Sequence, residues 1–437
     1  MESQLYLLPY LALAVVAIGW HLLRRRRRHV REATALQQAE KSGLNEPPSL
    51  HPVVDPNRCL GSGACAKACP EGALGVVDGK ATLINASACI GHGACFSACP
   101  VQALTLVFGT EKRGIDIPHV SKDFETNVPG VFIAGELGGM GLIRKTAEQG
   151  RQAMAAIQKR SAGGHAAPLD VVIVGAGPAG ISAGLSAIAH KLRYTIIEQE
   201  DSLGGAVYHY PRNKLAMTAP VKLDLVGTVR LGAEVQKERL LAFWHEIVGR
   251  TQLAMNFNER FEGLERQGDG TFTVRTSRAS YHTRSVLLAL GRRGTPRKLG
   301  VPGEELPKVV YRLVDPAQYI GEAVLVVGGG DSALEAAIAL AGELGTEVTL
   351  AYRGEAFARV KEKNRLQLDQ LVRAGRVRQL LGTQVRRIEA TAVTLAGADG
   401  AEQTINNHHV IVCAGGELPT PLLRAIGIRF ETKFGKA

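Results

Sequence analysis

The chain has 437 residues, 52 of them Lys or Arg against 41 Asp or Glu, for a formal net charge of +11; 45% are hydrophobic, 21% charged and 5% aromatic. The hydrophobic share excludes wholesale disorder and a mean hydropathy of +0.02 excludes a polytopic membrane protein, while roughly 150 residues per domain suggests about three domains. Nucleic acid is not the expected partner, because Arg24 to Arg28 supplies five of the positive charges and no recognition motif accompanies them.

The first predicted element is Leu5 to Leu23, 19 residues without an acidic, Lys or Arg side chain, with Tyr6, Tyr10 and Trp20 near its ends. Five arginines follow it, and only Glu2 precedes it, so it reads as an uncleaved anchor rather than a signal peptide. The expectation is a single-pass protein of the cell inner membrane, anchored by residues 5–23, with the catalytic domains cytoplasmic. The bland alternative is a buried helix or a peripheral hairpin. Residues 24–50 read as a basic stalk and a linker ending in Glu46-Pro47-Pro48.

Six of the seven cysteines follow in two segments, Cys59-Leu-Gly-Ser-Gly-Ala-Cys65-Ala-Lys-Ala-Cys69-Pro70 and Cys89-Ile-Gly-His-Gly-Ala-Cys95-Phe-Ser-Ala-Cys99-Pro100, offset by 30 positions. This internal repeat resembles the bacterial two-cluster ferredoxin, whose half-motif is C-x2-C-x2-C-x3-C-P. The resemblance implies an α+β ferredoxin-like domain over residues 51–108. It also implies that Cys59, Cys65 and Cys99 hold one iron–sulfur cluster, and that Cys89, Cys95 and Cys69 hold the other. The second cysteine of each half is replaced, by Ser62 and by His92. Either three thiolates hold a 3Fe–4S cluster, or Ser62 and His92 complete 4Fe–4S clusters; an imidazole ligand would make its cluster the easier to reduce. A degenerate, metal-free fold is the alternative. Zinc and structural disulfides fit less well, on spacing and on a reducing compartment.

Two nucleotide fingerprints come next. Leu169 to Val174 is an apolar strand run that leads into Gly175-Ala-Gly177-Pro-Ala-Gly180 and a helical stretch, and Glu198 ends the following strand 18 residues after Gly180. The glycines permit a tight turn and close approach of a pyrophosphate to a helix N-terminus, and the acid suits ribose hydroxyls. The second fingerprint is Gly328-Gly-Gly330-Asp331-Ser332-Ala333. Its next strand ends at Arg353 rather than at a carboxylate, so Arg353, with Arg359 or Lys361, favours NADPH over NADH. An ordinary solvated basic face is the alternative for these arginines.

Two such folds about 150 residues apart, joined through Leu288-Ala-Leu-Gly291 and Val301-Pro-Gly303-Glu304, resemble the two-dinucleotide flavoproteins of the thioredoxin reductase family. The nearest resemblance is to the branch without C-x-x-C that includes bacillithiol disulfide reductase-like proteins. The resemblance implies FAD at the first site, NADPH at the second, a flavin contact at Gly205 within Leu203-Gly204-Gly205, and a dimer. Cys413, the one cysteine outside the repeat, reads as a buried strand residue. In that family the FAD domain closes with G-V-F-x-x-G-D near the C-terminus. Here the motif is Gly130-Val-Phe-Ile-Ala-Gly135-Glu136, ahead of the first fingerprint, with Lys145 and Thr146 opening the next helix. Circular permutation accounts for this placement, unless the segment belongs to the ferredoxin module. The expected class is therefore α/β, with two Rossmann-like domains, a ferredoxin-like domain and one transmembrane helix. Its parts are the permuted piece at 109–160, the FAD domain at 168–298 and the NAD(P)H domain at 299–437.

Together these parts imply an oxidoreductase that moves electrons between NADPH, FAD and the clusters, to or from a partner such as a protein electron carrier or a membrane redox complex. No general acid, base or nucleophile is required, and His209 reads as structural. Two alternatives stand: a cluster-fed disulfide reductase without its own dithiol, and a redox sensor that does not turn over.

Overall fold

In the computed structural model, which describes every residue outside 1–7, 42–45, 49, 140, 162–166, 233, 293–294, 358–359 and 436–437, the chain divides into two units. The first comprises Met1–Arg113, Ala356–Arg365 and Phe434–Ala437; the second comprises Gly114–Glu355 and Leu366–Lys433.

The first unit begins with a long helix, α1 (Leu8–Lys41), which runs unbroken through the arginine cluster. Among the described residues no helix is long and apolar enough to cross a membrane. The expected transmembrane helix, and with it the single-pass inner-membrane placement and its cytoplasmic orientation, is thereby corrected. In α1 only Leu8 to Leu23 precedes Arg24, short of the roughly 20 apolar residues that a span requires; residues 5–7 of the expected span lie outside those described. The stretch expected as a short stalk helix is helical as far as Lys41 and packs on the cysteine module. Glu32, only 5% exposed, accepts the Val76 backbone N–H at 2.7 Å and pairs with Arg28 one helical turn away, also at 2.7 Å.

The cysteine module repeats one plan twice. Strand β1 (His51–Val54) pairs antiparallel with β4 (Leu104–Val107), and β2 (Leu74–Val77) with β3 (Lys80–Leu83). After each cysteine loop comes a short helix, α2 (Ala64–Ala68) or α3 (Ala94–Ser97). The module is too small to bury many large side chains. Its core is Leu74, Ala81, Ala103 and Leu104, packed with Cys59, Cys65 and Cys95.

The second unit carries two parallel-sheet folds. In the first, β7 (Leu169–Val174) lies between β8 (Tyr194–Ile197) and the strand Ser280–Leu288, all parallel, and α5 (Pro178–Ala189) follows the glycine turn. Strands buried on both faces read as continuous apolar runs, as Val171 to Val174 does, with 0–3% exposure. A short strand, β6 (Val131–Ile133), joins this same sheet by pairing parallel with Val286–Leu288. Helix α4 (Ile143–Ser161) lies along α5, so close that a Cβ on Gly150 would stand 2.1 Å from the Ala179 carbonyl oxygen. Upstream, β5 (Ile115–Pro118) pairs antiparallel with the last strand of the chain, Phe430–Lys433. The second fold is a five-stranded parallel sheet in the order Val309–Val310, His409–Val412, Ala323–Val327, Glu347–Ala351, Val377–Leu380, with the helix Asp331–Ala341 packed on it. Both folds follow the plan in which ligands sit at the carboxyl ends of the strands.

Candidate functional site

In the cysteine module all six thiols are free; Cys59, Cys65, Cys89 and Cys95 are buried, and Cys69 and Cys99 partly so. Burial pushes the Cys65 thiol up, and the neighbouring Cys59 and Cys99 push it further. Burial likewise raises Cys89, with Cys69 adding to it, and takes Cys95 up to about 11, with Cys89, Cys69 and Cys65 adding to it. Charge on Cys99 is thus felt at Cys65 and charge on Cys69 at both Cys89 and Cys95, so thiols from opposite halves of the repeat influence one another. Backbone N–H groups already point at sulfur, from Ala81 to Cys59 Sγ at 3.4 Å and from Ala103 to Cys99 Sγ at 3.3 Å.

A cavity opens in the module, lined by Cys69, Cys89, His92 and Cys95 with Glu71 and Leu74. Among the described residues no three His, Cys, Asp or Glu side chains stand close enough to hold a single metal ion. Ser62, in the matching place of the first half, is exposed, and its hydroxyl accepts the Ala64 N–H at 3.5 Å.

At the first glycine turn, Gly175 has φ +110°, and a Cβ there would meet the Ala289 carbonyl oxygen at 2.5 Å. Gly180 packs its helix on the turn, where a Cβ would reach the Gly175 oxygen at 1.8 Å. Gly177 faces Gly205 so closely that a Cβ on Gly205 would stand 2.9 Å from the Gly177 Cα, and the Gly204 N–H donates to the Ala176 carbonyl at 2.9 Å. These close approaches of backbone to backbone are why the turn requires glycine at each position. Glu198, 6% exposed, accepts the Ala176 N–H at 2.7 Å and the Glu200 N–H at 3.0 Å; burial raises its carboxyl and the two backbone donors oppose that.

The closing motif meets this turn from the other side. Gly135 lies against Ala179 of α5 and Thr146 of α4, and its N–H donates to Gln149 Oε1 at 2.9 Å. Glu136 opens a short 3-10 turn beside it. Thr146 is buried and Lys145 is half-exposed, 3.5 Å from Glu148. The structure thus brings Gly135, Glu136, Lys145 and Thr146 into the same fold as Gly175, Gly177, Gly180, Glu198 and Gly205. His209 lies 3.4 Å from Glu200 through Nε2 and hydrogen-bonds Arg312 through Nδ1.

In the second fold, Gly328 lies under the Cys413 carbonyl, while the Cβ position of Gly330 is open. Asp331 and Ser332 begin the helix, and a helix N-terminus suits an anion. Arg353 is exposed two residues beyond the strand Glu347–Ala351; Arg359 lies outside the described residues. The two folds are linked by Lys214–Glu335 at 2.6 Å and Arg212–Asp315 at 3.4 Å.

Sequence reasoning missed two residues. Tyr352 lays its ring over Gly329, where a Cβ would stand 2.2 Å from it, and Gln149 holds the Gly135 amide. Gln149 stands three positions after Thr146 on α4, a same-face spacing that could have marked it.

A profile of the family described as pyridine nucleotide-disulphide oxidoreductase matches residues 172–434. The chain belongs to that family. A 4Fe-4S dicluster domain profile matches residues 51–100. Among curated relatives, the bacilliredoxin reductase Bdr of Bacillus subtilis (strain 168) is 28% identical over 269 residues, 61% of this chain and 82% of that protein. A ferredoxin–NADP reductase of Ignicoccus hospitalis is 29% identical over 280 residues, 60% of this chain and 83% of that protein. The solved bacillithiol disulfide reductase Bdr (YpdA) from Bacillus cereus superposes with a TM-score of 0.53 at 27% identity, over 59% of this chain and 81% of that one. This pyridine nucleotide-disulphide oxidoreductase is therefore an NAD(P)H-dependent FAD enzyme with a 4Fe–4S ferredoxin-like domain. The tight glycine turn at the start of α5 and the six cysteines of the repeat, four of them buried, fit those cofactors.

Proposed function

We propose that the protein transfers electrons between NADPH, FAD and its two clusters, and exchanges them with a separate protein electron carrier. The observation that carries this reading is the joining in one chain of a repeated six-cysteine module with two dinucleotide folds. FAD, when bound, exchanges electron pairs with nicotinamide and single electrons with clusters, which nicotinamide alone does not do.

The residues act by holding and orienting. The turn at Gly175–Gly180 and the N-terminus of α5 receive the pyrophosphate, and Glu198 faces the ribose. Gly205 and the Gly135–Glu136 turn bound the cradle, and Lys145 and Thr146 bring the start of α4 to it. Gly330, Asp331 and Ser332 receive the second pyrophosphate, and Arg353 neutralises a 2′-phosphate. No step asks a side chain of this chain to take or give a proton.

We also infer that residues 109–160 are the closing piece of the FAD domain, carried ahead of the rest by circular permutation. Two pairings support this: β6 in the sheet of the first fold, and β5 beside the last strand as the two arms of a hairpin with no turn between them. The Bdr relatives favour a second reading, reduction of a disulfide directly at the flavin, since outside the repeat the sequence holds only Cys413.

The test is NADPH oxidation by the purified protein with oxidised ferredoxin or a low-molecular-weight disulfide as acceptor. Ferredoxin reduction that disappears in the Cys65→Ser, Cys95→Ser double variant is expected; turnover with the disulfide alone would move the assignment to the second reading.

A further inference from the structure

The two halves of the cysteine module share a backbone plan but differ at one chemical position. In each loop the residue between two left-handed glycines stands where a fourth ligand would come from: Ser62 between Gly61 (φ +66°) and Gly63 (φ +72°), His92 between Gly91 (φ +71°) and Gly93 (φ +78°). Those φ values, which other side chains rarely adopt, turn the loop back on itself and present the middle residue at the loop's tip. At the second site that residue lines the same cavity as Cys69, Cys89 and Cys95.

We propose that the His92 imidazole is the fourth ligand of the cluster held by Cys69, Cys89 and Cys95, so that the module carries two chemically unequal clusters. Imidazole binds iron as the neutral base and is a stronger donor to it than a neutral serine hydroxyl. A neutral ligand in place of a thiolate removes one negative charge from the cluster, which raises its reduction potential. The ring nitrogen not used for iron stays an N–H donor and needs an acceptor to fix the ring; Glu71, on the wall of the same cavity, supplies a carboxylate there. The second cluster then differs from the first in its fourth ligand. The proposal rests on the reading that both clusters are resident, and on nothing about the direction of flow.

The test reads the ligand itself. Anaerobically purified protein is reduced with dithionite, so that the outcome does not depend on transfer from NADPH, and pulsed EPR is recorded for nitrogen coupling to the reduced clusters. The wild-type protein shows nitrogen hyperfine coupling of directly bound strength on one cluster signal. In His92→Cys both clusters load, the coupling is gone, and redox titration shows a lowered potential for that cluster alone. In His92→Ala the same site shows a three-iron signal when oxidised. Glu71→Gln keeps the coupling. Wild-type protein with two loaded clusters and no such coupling, coupling that survives in His92→Cys, or a wild-type second site that holds no cluster each overturns the proposal.

Discussion

At the scale of single residues, Asp170 shows how local charge steadies the first nucleotide fold. Its carboxylate accepts the Arg193 backbone N–H at 2.9 Å and two guanidinium bonds at 3.0 and 3.1 Å, with Arg284 at 3.4 Å. Burial pushes the carboxyl up, but the Arg193 bonds and the charges outweigh it and hold the group below the ordinary 3.8. A carboxyl lowered on folding binds fewer protons in the native state than in the unfolded one. Its contribution is therefore fully present above about pH 4 and is lost as the pH falls through the lowered folded value. Asp170→Asn is expected to cost about 1–3 kcal/mol at neutral pH, and to cost less in acid; urea unfolding at both pH values checks it. Arg353→Ala removes a charged hydrogen-bond donor worth about 1.5–3 kcal/mol, so KM for NADPH should rise roughly ten- to a hundredfold while KM for NADH stays put. Equal effects on the two nucleotides would show that Arg353 does not read the 2′-phosphate. The site glycines were legible in the sequence because each obeys a backbone constraint that only glycine meets. Gln149 was marked only by its same-face spacing from Thr146, and Tyr352 by nothing local, because a ring laid over Gly329 is a product of tertiary packing.

At the scale of elements, α1 is where the sequence misleads. Leu5 to Leu23 carries every local mark of a span, and apolar composition alone does not separate a span from a shorter apolar helix end. Glu32 reads as one more charge on a polar face, yet it is the point at which α1 meets the edge of β2. Glu32→Ala leaves the Val76 N–H without its acceptor, at a cost of about 1–3 kcal/mol. Hydrogen exchange at Val76 should then rise with that of residues 28–41; unchanged exchange at Val76 would show that α1 does not clamp the strand. The α4–α5 contact makes a second prediction. Gly150→Leu must push the backbones of α4 and α5 apart, which costs about 1–3 kcal/mol. It should lower the flavin content of the purified protein although Gly150 reaches no ligand, and full flavin content would deny that α4 helps to form the cradle. The strand–turn–helix units were legible because strand, glycine turn, helix and acid occur in order. The pairing of β5 with the last strand was not, because register between segments at opposite ends of a chain leaves no local periodicity.

At the scale of the whole molecule, the repeat and the two fingerprints assign the chain to an iron–sulfur flavoenzyme, and the family membership agrees with that assignment. Under the proposed permutation the order of the segments is what distinguishes it: residues 109–160, which would close the flavin fold, follow the cysteine module directly along the chain. Neither a ferredoxin nor a disulfide reductase requires that order, whereas an enzyme that couples two-electron and one-electron chemistry gains from having both kinds of carrier on one chain. The central claim is that NADPH electrons reach the clusters. Anaerobic titration of the purified protein with NADPH, followed by EPR and flavin absorbance together, tests it most directly. Cluster signals that appear or vanish in step with flavin bleaching are predicted; flavin that bleaches while every cluster signal stays unchanged would contradict it.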